Sequence, residues 1–331
     1  MTYLHVRFPR LKESLPRLPL GDGPTPVRPL PGLSEGAAQV WLKDDGAYGN
    51  GGWGGNKVRK LEWLLPDVRH SGRKTILSVG GLGTNWGLAT ALYAREHGLR
   101  TVLALVDQPV DDYVRAQLGR LRESGAKLYF TRTKGRTVAA VPWLFARHFS
   151  GGRPPYVLGA GGSSPVGALG YVEAALEIAA QVEDGLLPEP SHIVTAVGSG
   201  GTTAGLLLGL RLAGLRTRVV GVVVNDTLRL DGVTLPRLAR RTAKLLERRG
   251  AGPLRFESGE EDLTVVRDRL GKGYGHPTPE GERAREHAAG REGLVLEPVY
   301  TAKAVAALRA MNEEGRFGDG PILFLQTNGP R

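Results

Sequence analysis

The sequence predicts an α/β fold of two domains, each a mostly parallel sheet flanked by helices. Short apolar strands alternate with helical segments from residue 56 to about 160, which calls for helices packed on a parallel sheet. The same alternation resumes after a long helical stretch from Gly167 to Glu183. At 331 residues the chain is long for a single core, so two domains are expected.

The elements follow in order. Residues 1–40 are rich in proline, should wrap another part of the protein, and end in a strand from Ala38 to Leu42. Lys43-Asp44-Asp45 leads into a loop carrying Gly46, Gly49, Gly51, Gly52, Gly54 and Gly55. Lys57–Leu65 reads as a helix with Val58, Leu61, Leu64 and Leu65 on one face. Strands are expected at Thr75–Val79, Arg100–Val106 and Lys127–Thr131. Between them lie helices at Trp86–His97, closed by Gly98, at Asp111–Ser124, closed by Gly125, and then at Val138–Phe149. Ser150–Pro155 reads as a connector. Further on come strands at His192–Val197, Arg218–Val224 and Ile322–Gln326. The helices of this half are Thr202–Ala213, Pro279–Ala289 and Thr301–Asn312.

Composition narrows the function. The chain is 41% hydrophobic and 23% charged, as ordinary globular proteins are, and no apolar run reaches membrane-spanning length. Without cysteine it has no disulfide, thiolate metal site or Cys nucleophile. With no apolar leader at the start, a cytoplasmic location is expected. A net charge of +11 raises the question of nucleic acid. The densest basic cluster, Arg237–Arg249, has Leu238, Leu245 and Leu246 at helical spacing and no interleaved aromatics, which fits a solvated cationic helix face. No nucleic-acid partner is expected, and an anionic small molecule suits the charge.

Four stretches carry chemistry. Lys57 stands where a glycine-rich loop turns into a helix, where free N–H groups favour an anion. A lysine desolvated there can lose its proton and attack a carbonyl; alone, the stretch also reads as a solvated helix start. Gly198-Ser199-Gly200-Gly201-Thr202-Thr203 joins an apolar strand to an apolar helix, and its glycines and hydroxyls suit a phosphate or a tight turn. Its spacing is neither the dinucleotide fingerprint nor a P-loop. Gly80–Asn85 is a similar turn in which Thr84 or Asn85 caps a helix, meets a ligand, or does both. Gly161-Gly-Ser-Ser-Pro165 opens the long helix, and Glu297-Pro-Val-Tyr300-Thr301 offers a phenol before another. No Gly-x-Ser-x-Gly or His-x-x-x-His occurs, so a serine hydrolase and a zinc enzyme are disfavoured, and no metal is expected.

Taken together, from about Val40 to Thr327, these motifs resemble fold type II pyridoxal-phosphate (PLP) enzymes, the tryptophan synthase β superfamily. The nearest likeness is to the branch of 1-aminocyclopropane-1-carboxylate (ACC) deaminases and D-cysteine desulfhydrases. The resemblance implies PLP in a cleft between two domains, a smaller one at 55–160 inserted into a larger one of 1–54 plus 161–331. It implies that Lys57 holds the cofactor aldehyde covalently, that Lys60 and Gly198, Ser199, Gly200, Gly201 and Thr202 support the phosphate, and that Asn85 lies beside the ring oxygen. Thr84 takes the place of a serine that binds the substrate carboxylate. Tyr300 and Tyr274 match active-site tyrosines, and Thr327 matches a hydroxyl facing the pyridine nitrogen, a weaker partner than a carboxylate and suited to eliminating a good leaving group. ACC deaminases carry glutamate where this chain has Thr301, and Trp86 replaces a histidine or glutamine. The expected function is β-elimination from a small amino acid, D-cysteine desulfhydrase-like, giving a 2-oxo acid and ammonia. The alternatives are ACC deamination, racemisation or β-replacement, and a non-catalytic phospho-ligand module. A homodimer is implied as well.

Overall fold

A computed structural model describes residues 2–50 and 53–329; Gly51 and Gly52 of the glycine-rich loop lie outside the described residues. Two sheets organise the chain. The larger has six strands in the order β1 (Val27–Pro29), β2 (Val40–Asp44), β10 (Ile322–Gln326), β7 (His192–Val197), β8 (Arg218–Val223) and β9 (Leu263–Val266). Only β1 runs antiparallel to its neighbour. The smaller sheet is wholly parallel, in the order β5 (Lys127–Arg132), β4 (Arg100–Val106), β3 (Thr75–Gly81) and β6 (Tyr156–Leu158). The predicted α/β class with two parallel-sheet domains is what the chain adopts.

Apolar cores fill both faces of the large sheet. One holds α7 (Pro165–Glu183), α8 (Gly201–Ala213) and α9 (Thr234–Leu246); the other holds α10 (Pro279–Glu292) and α11 (Thr301–Glu313). Glycines set the spacing of the first layer. A Cβ on Gly205 would lie 2.3 Å from the Ala168 carbonyl oxygen, so α8 touches α7 backbone to backbone. A Cβ on Gly170 would lie 2.2 Å from the Arg59 carbonyl oxygen, which brings α3 (Asn56–His70) equally close to α7. A third core joins α3 to α4 (Asn85–Glu96) and the small sheet.

The start of the chain does wrap. The short helix α1 (Tyr3–Arg7) lies on α7, where the N–H groups of Tyr3 and Leu4 donate to the Glu173 carboxylate at 2.7 and 2.8 Å. Several edges differ from expectation. The first predicted strand lies at Val40–Asp44, two residues later, paired in register with β10. α6 (Lys134–Arg147) begins four residues before Val138 because Thr133 caps it, accepting from Arg136 N. The basic helix spans Thr234–Leu246 and keeps Arg237, Arg240 and Arg241 exposed. Among the described residues no helix is long and apolar enough to cross a membrane.

Buried charge locks α3 in place. Arg59 Nε and Nη2 reach the Asp45 carboxylate at 3.0 and 2.9 Å, and Nη1 and Nη2 reach Glu177 at 3.0 and 2.9 Å. Lys43 Nζ adds a contact to Glu177, and the Tyr171 hydroxyl donates to Asp45. All five side chains are buried. Arg59 therefore points away from the two lysines that flank it, Lys57 and Lys60.

Candidate active site

A cleft lies between the two sheets, and α3 starts on its floor. Gly55 caps that helix at φ +89°, and a Cβ there would lie 2.8 Å from Gly329 N. The loop after β10 is tied to the same point, since Asn56 N donates to the Thr327 carbonyl. Lys57 is the second residue of the helix. Its half-buried side chain lines the cleft, with Nζ 2.6 Å from Asn56 Oδ1. Burial pulls the amine down to about 8, opposed by the charge of Glu297.

Lys60 follows one turn later, fully buried, with Nζ donating to the Gly161 carbonyl at 3.1 Å. Burial and then the charge of Lys57 push its amine well below the ordinary lysine value. The turn between β7 and α8 faces this lysine: a Cβ on Gly201 would be 3.2 Å from Lys60 Nζ. Gly200 occupies the left-handed region at φ +88°, and no side chain caps α8. Gly201 N donates to Ser163 Oγ, which donates on to Ser199 Oγ. The Thr203 hydroxyl is buried without a protein partner. An uncapped helix start, several hydroxyls and a desolvated ammonium together fit a phosphate ester.

The opposite wall comes from the small sheet. Thr84 caps α4 by accepting from Gly87 N at 3.0 Å, which leaves its own O–H free to donate. Thus the helix-cap reading holds and a ligand role stays open to the same hydroxyl. Asn85 lines the cleft with Oδ1 accepting from the Tyr113 hydroxyl and Gln117 Nε2. Trp86 is wedged rather than catalytic. Its Nε1 donates to Ser78 Oγ, and a Cβ on Gly162 would meet its ring at 2.5 Å.

The third wall holds the phenols. Tyr274 and Tyr300 share a hydrogen bond at 2.7 Å with their rings edge to face, and burial raises both hydroxyls above the ordinary value. Tyr300 lies over the phosphate-type turn, since a Cβ on Gly198 would be 2.8 Å from its Cε1. Thr327 lines the same space. Of the residues singled out from the sequence, Lys57, Lys60, Thr84, Asn85, Gly198, Ser199, Gly200, Thr202, Tyr274, Tyr300 and Thr327 line one cleft, with Gly201 just behind it. Thr301 does not line it; its hydroxyl is buried against the Glu297 backbone.

Sequence reasoning passed over Glu297. This buried carboxylate lines the cleft and accepts from Val299 N and Tyr300 N at 2.9 and 2.8 Å. Burial lifts it to about 7 despite those bonds. Its place just before Pro298-Val-Tyr300 is the signal that could have found it. Ser163 lies in the Gly161–Pro165 turn that opens the long helix, whereas nothing local marks Tyr113 or Gln117.

Comparison with known proteins places the chain in a family. The family model described as pyridoxal-phosphate dependent enzyme matches residues 18–328. A D-cysteine desulfhydrase of Klebsiella pneumoniae (strain 342) is 36% identical over 321 residues, 95% of this chain and 94% of its own. One from Salmonella paratyphi A is 36% identical over 325 residues, with the same shares. A crystal structure of an ACC deaminase homologue superposes with a TM-score of 0.80 at 32% identity, covering 97% of this chain and 94% of that one. The cofactor is accordingly pyridoxal phosphate, and the chain belongs to the family of pyridoxal-phosphate dependent enzymes.

Proposed function

We propose that this enzyme eliminates the β-substituent of a small amino acid, with D-cysteine the leading substrate, releasing hydrogen sulfide, a 2-oxo acid and ammonia. The observation that carries the reading is the convergence of four separated motifs on one cleft around Lys57. When bound, PLP supplies an electron sink for the pair left on the α carbon. Lys57 would hold the cofactor and, with its amine free, would take the α proton; an amine that titrates near 8 can accept and release it. Lys60, Ser199, Thr202 and the α8 start would hold the phosphate. Thr84 would offer its hydroxyl to the substrate carboxylate, and Asn85 and Thr327 would hold the ring. The Tyr274–Tyr300 pair holds a proton for the departing thiolate.

Lys57→Ala is the test. Purified parent should carry a visible band that borohydride removes and should release sulfide from D-cysteine, and the variant should do neither. A parent that stays colourless with added PLP refutes the proposal.

Glu297 favours a second reading, ACC ring opening, because it puts a carboxyl group that titrates near neutrality in the cleft although position 301 is threonine. Ammonia release from ACC against D-cysteine decides between the two. The division at residues 55 and 160 is proposed with this reading, supported by the sheet membership of the strands on either side. So are a homodimer, testable by light scattering, and a cytoplasmic location, which a cysteine-free chain suits and fractionation tests.

A further inference from the structure

A guanidinium has donors and no acceptor, and that fact propagates from α5 (Asp112–Glu123) into the cleft. Arg120 Nη1 donates to Gln117 Oε1 at 3.0 Å. The Gln117 amide, fully buried, therefore has only Nε2 to offer Asn85, whose Oδ1 it meets at 2.5 Å. The Tyr113 hydroxyl reaches the same Oδ1 at 2.8 Å. An amide oxygen that accepts twice has used both lone pairs. Nδ2 is then the polar end of Asn85 left for the cleft it lines.

We propose that Arg120, Gln117 and Tyr113 are positioning residues that fix the sense of the Asn85 amide, so that it offers the cofactor's ring oxygen a donor and not an acceptor. This rests on the reading that places Asn85 beside that oxygen. A donor there stabilises the ionised oxygen, whereas an acceptor repels it. A hydrogen bond to a charged group corresponds to about one to two pH units in the titration of the group it stabilises.

The experiment uses PLP-loaded enzyme and follows its visible absorbance across pH. Gln117→Glu still accepts from Arg120 but cannot donate, so Asn85 turns Nδ2 toward it and shows Oδ1 to the cleft. Its absorbance midpoint should rise by about one to two pH units. Gln117→Met removes the donor without any change of charge and should give a smaller rise. Tyr113→Phe removes the second donor while Gln117 still holds Oδ1, so its midpoint should move least. The titratable and charged groups around Asn85 and its partners are Lys57, Lys60, Asp111, Tyr113, Arg120, Tyr274, Glu297 and Tyr300; Gln117→Met keeps all of them and adds none, whereas Gln117→Glu adds one carboxylate. A PLP-loaded Gln117→Glu or Gln117→Met with the parent's midpoint overturns the proposal. A parent that develops no visible band with PLP overturns the site reading itself and the relay with it.

Discussion

Removing the Arg59 guanidinium should destabilise the protein far more than its size suggests. Arg59 makes four hydrogen bonds of 2.9–3.0 Å to two buried carboxylates. Burial alone would raise Glu177, but Arg59 and Lys43 outweigh it and hold the carboxyl at about 2, against an ordinary 4.5. That difference converts to about 3 kcal/mol of stability. Because the folded-state value is the lower one, this stability is present above pH 4.5 and is lost as pH falls toward 2. Arg59→Met leaves Asp45 only neutral donors and Glu177 only Lys43 as a cation, and breaking a buried pair in this way costs about 3–5 kcal/mol. Urea unfolding followed by tryptophan fluorescence measures the loss at pH 7 and at a series of lower pH values. The variant should show the full deficit at pH 7 and a much shallower acid dependence than the parent. Adding Glu177→Gln should recover part of the deficit by removing one uncompensated charge. A deficit under about 1 kcal/mol, the range of exposed pairs, with a parent-like acid slope would refute the account.

Other outcomes follow from the cleft. Lys60→Ala removes a charge-assisted contact worth about 1.5–3 kcal/mol, so PLP should bind the apoprotein roughly tenfold to a hundredfold more weakly by fluorescence titration. The rate of PLP uptake by apoprotein should rise with pH and level off above about 8, because burial lowers Lys57 to that value and only the neutral amine attacks. For the same reason apoprotein stability should increase between about 8 and the ordinary lysine value of 10.5, which denaturation at those pH values checks. Gly205→Ala places a methyl group 2.3 Å from the Ala168 carbonyl and should lower the unfolding midpoint by an amount equivalent to about 1–3 kcal/mol, read by calorimetry. Trp86→Gln should loosen the wall it forms with Gly162, seen as a higher KM for D-cysteine and better turnover of bulkier β-substituted substrates.

Long elements and the cofactor motifs were legible in the sequence because both have local causes. Periodicity marked α3, α7 and α8, and the glycine and hydroxyl turns that open them marked the cleft. What escaped depends on distant partners. The edge strands β1, β6 and β9 have only three or four residues, and β6 and β9 gain their hydrogen bonds from neighbours far along the chain. α1 is held by Glu173, which no pattern near residue 3 announces. In the site, Gln117 reads as an ordinary helix residue until the fold sets it 2.5 Å from Asn85. Thr301 shows the converse: it sits next to a cleft tyrosine, yet the helix start turns its hydroxyl onto Glu297.

The chain passes between the two sheets twice, once between β2 and β3 and once between β6 and β7, and Gly54, Asn56, Ala160 and Gly161 on these passages line the cleft. A ligand filling the cleft touches both passages at once, so loading the enzyme should protect the two of them from protease together.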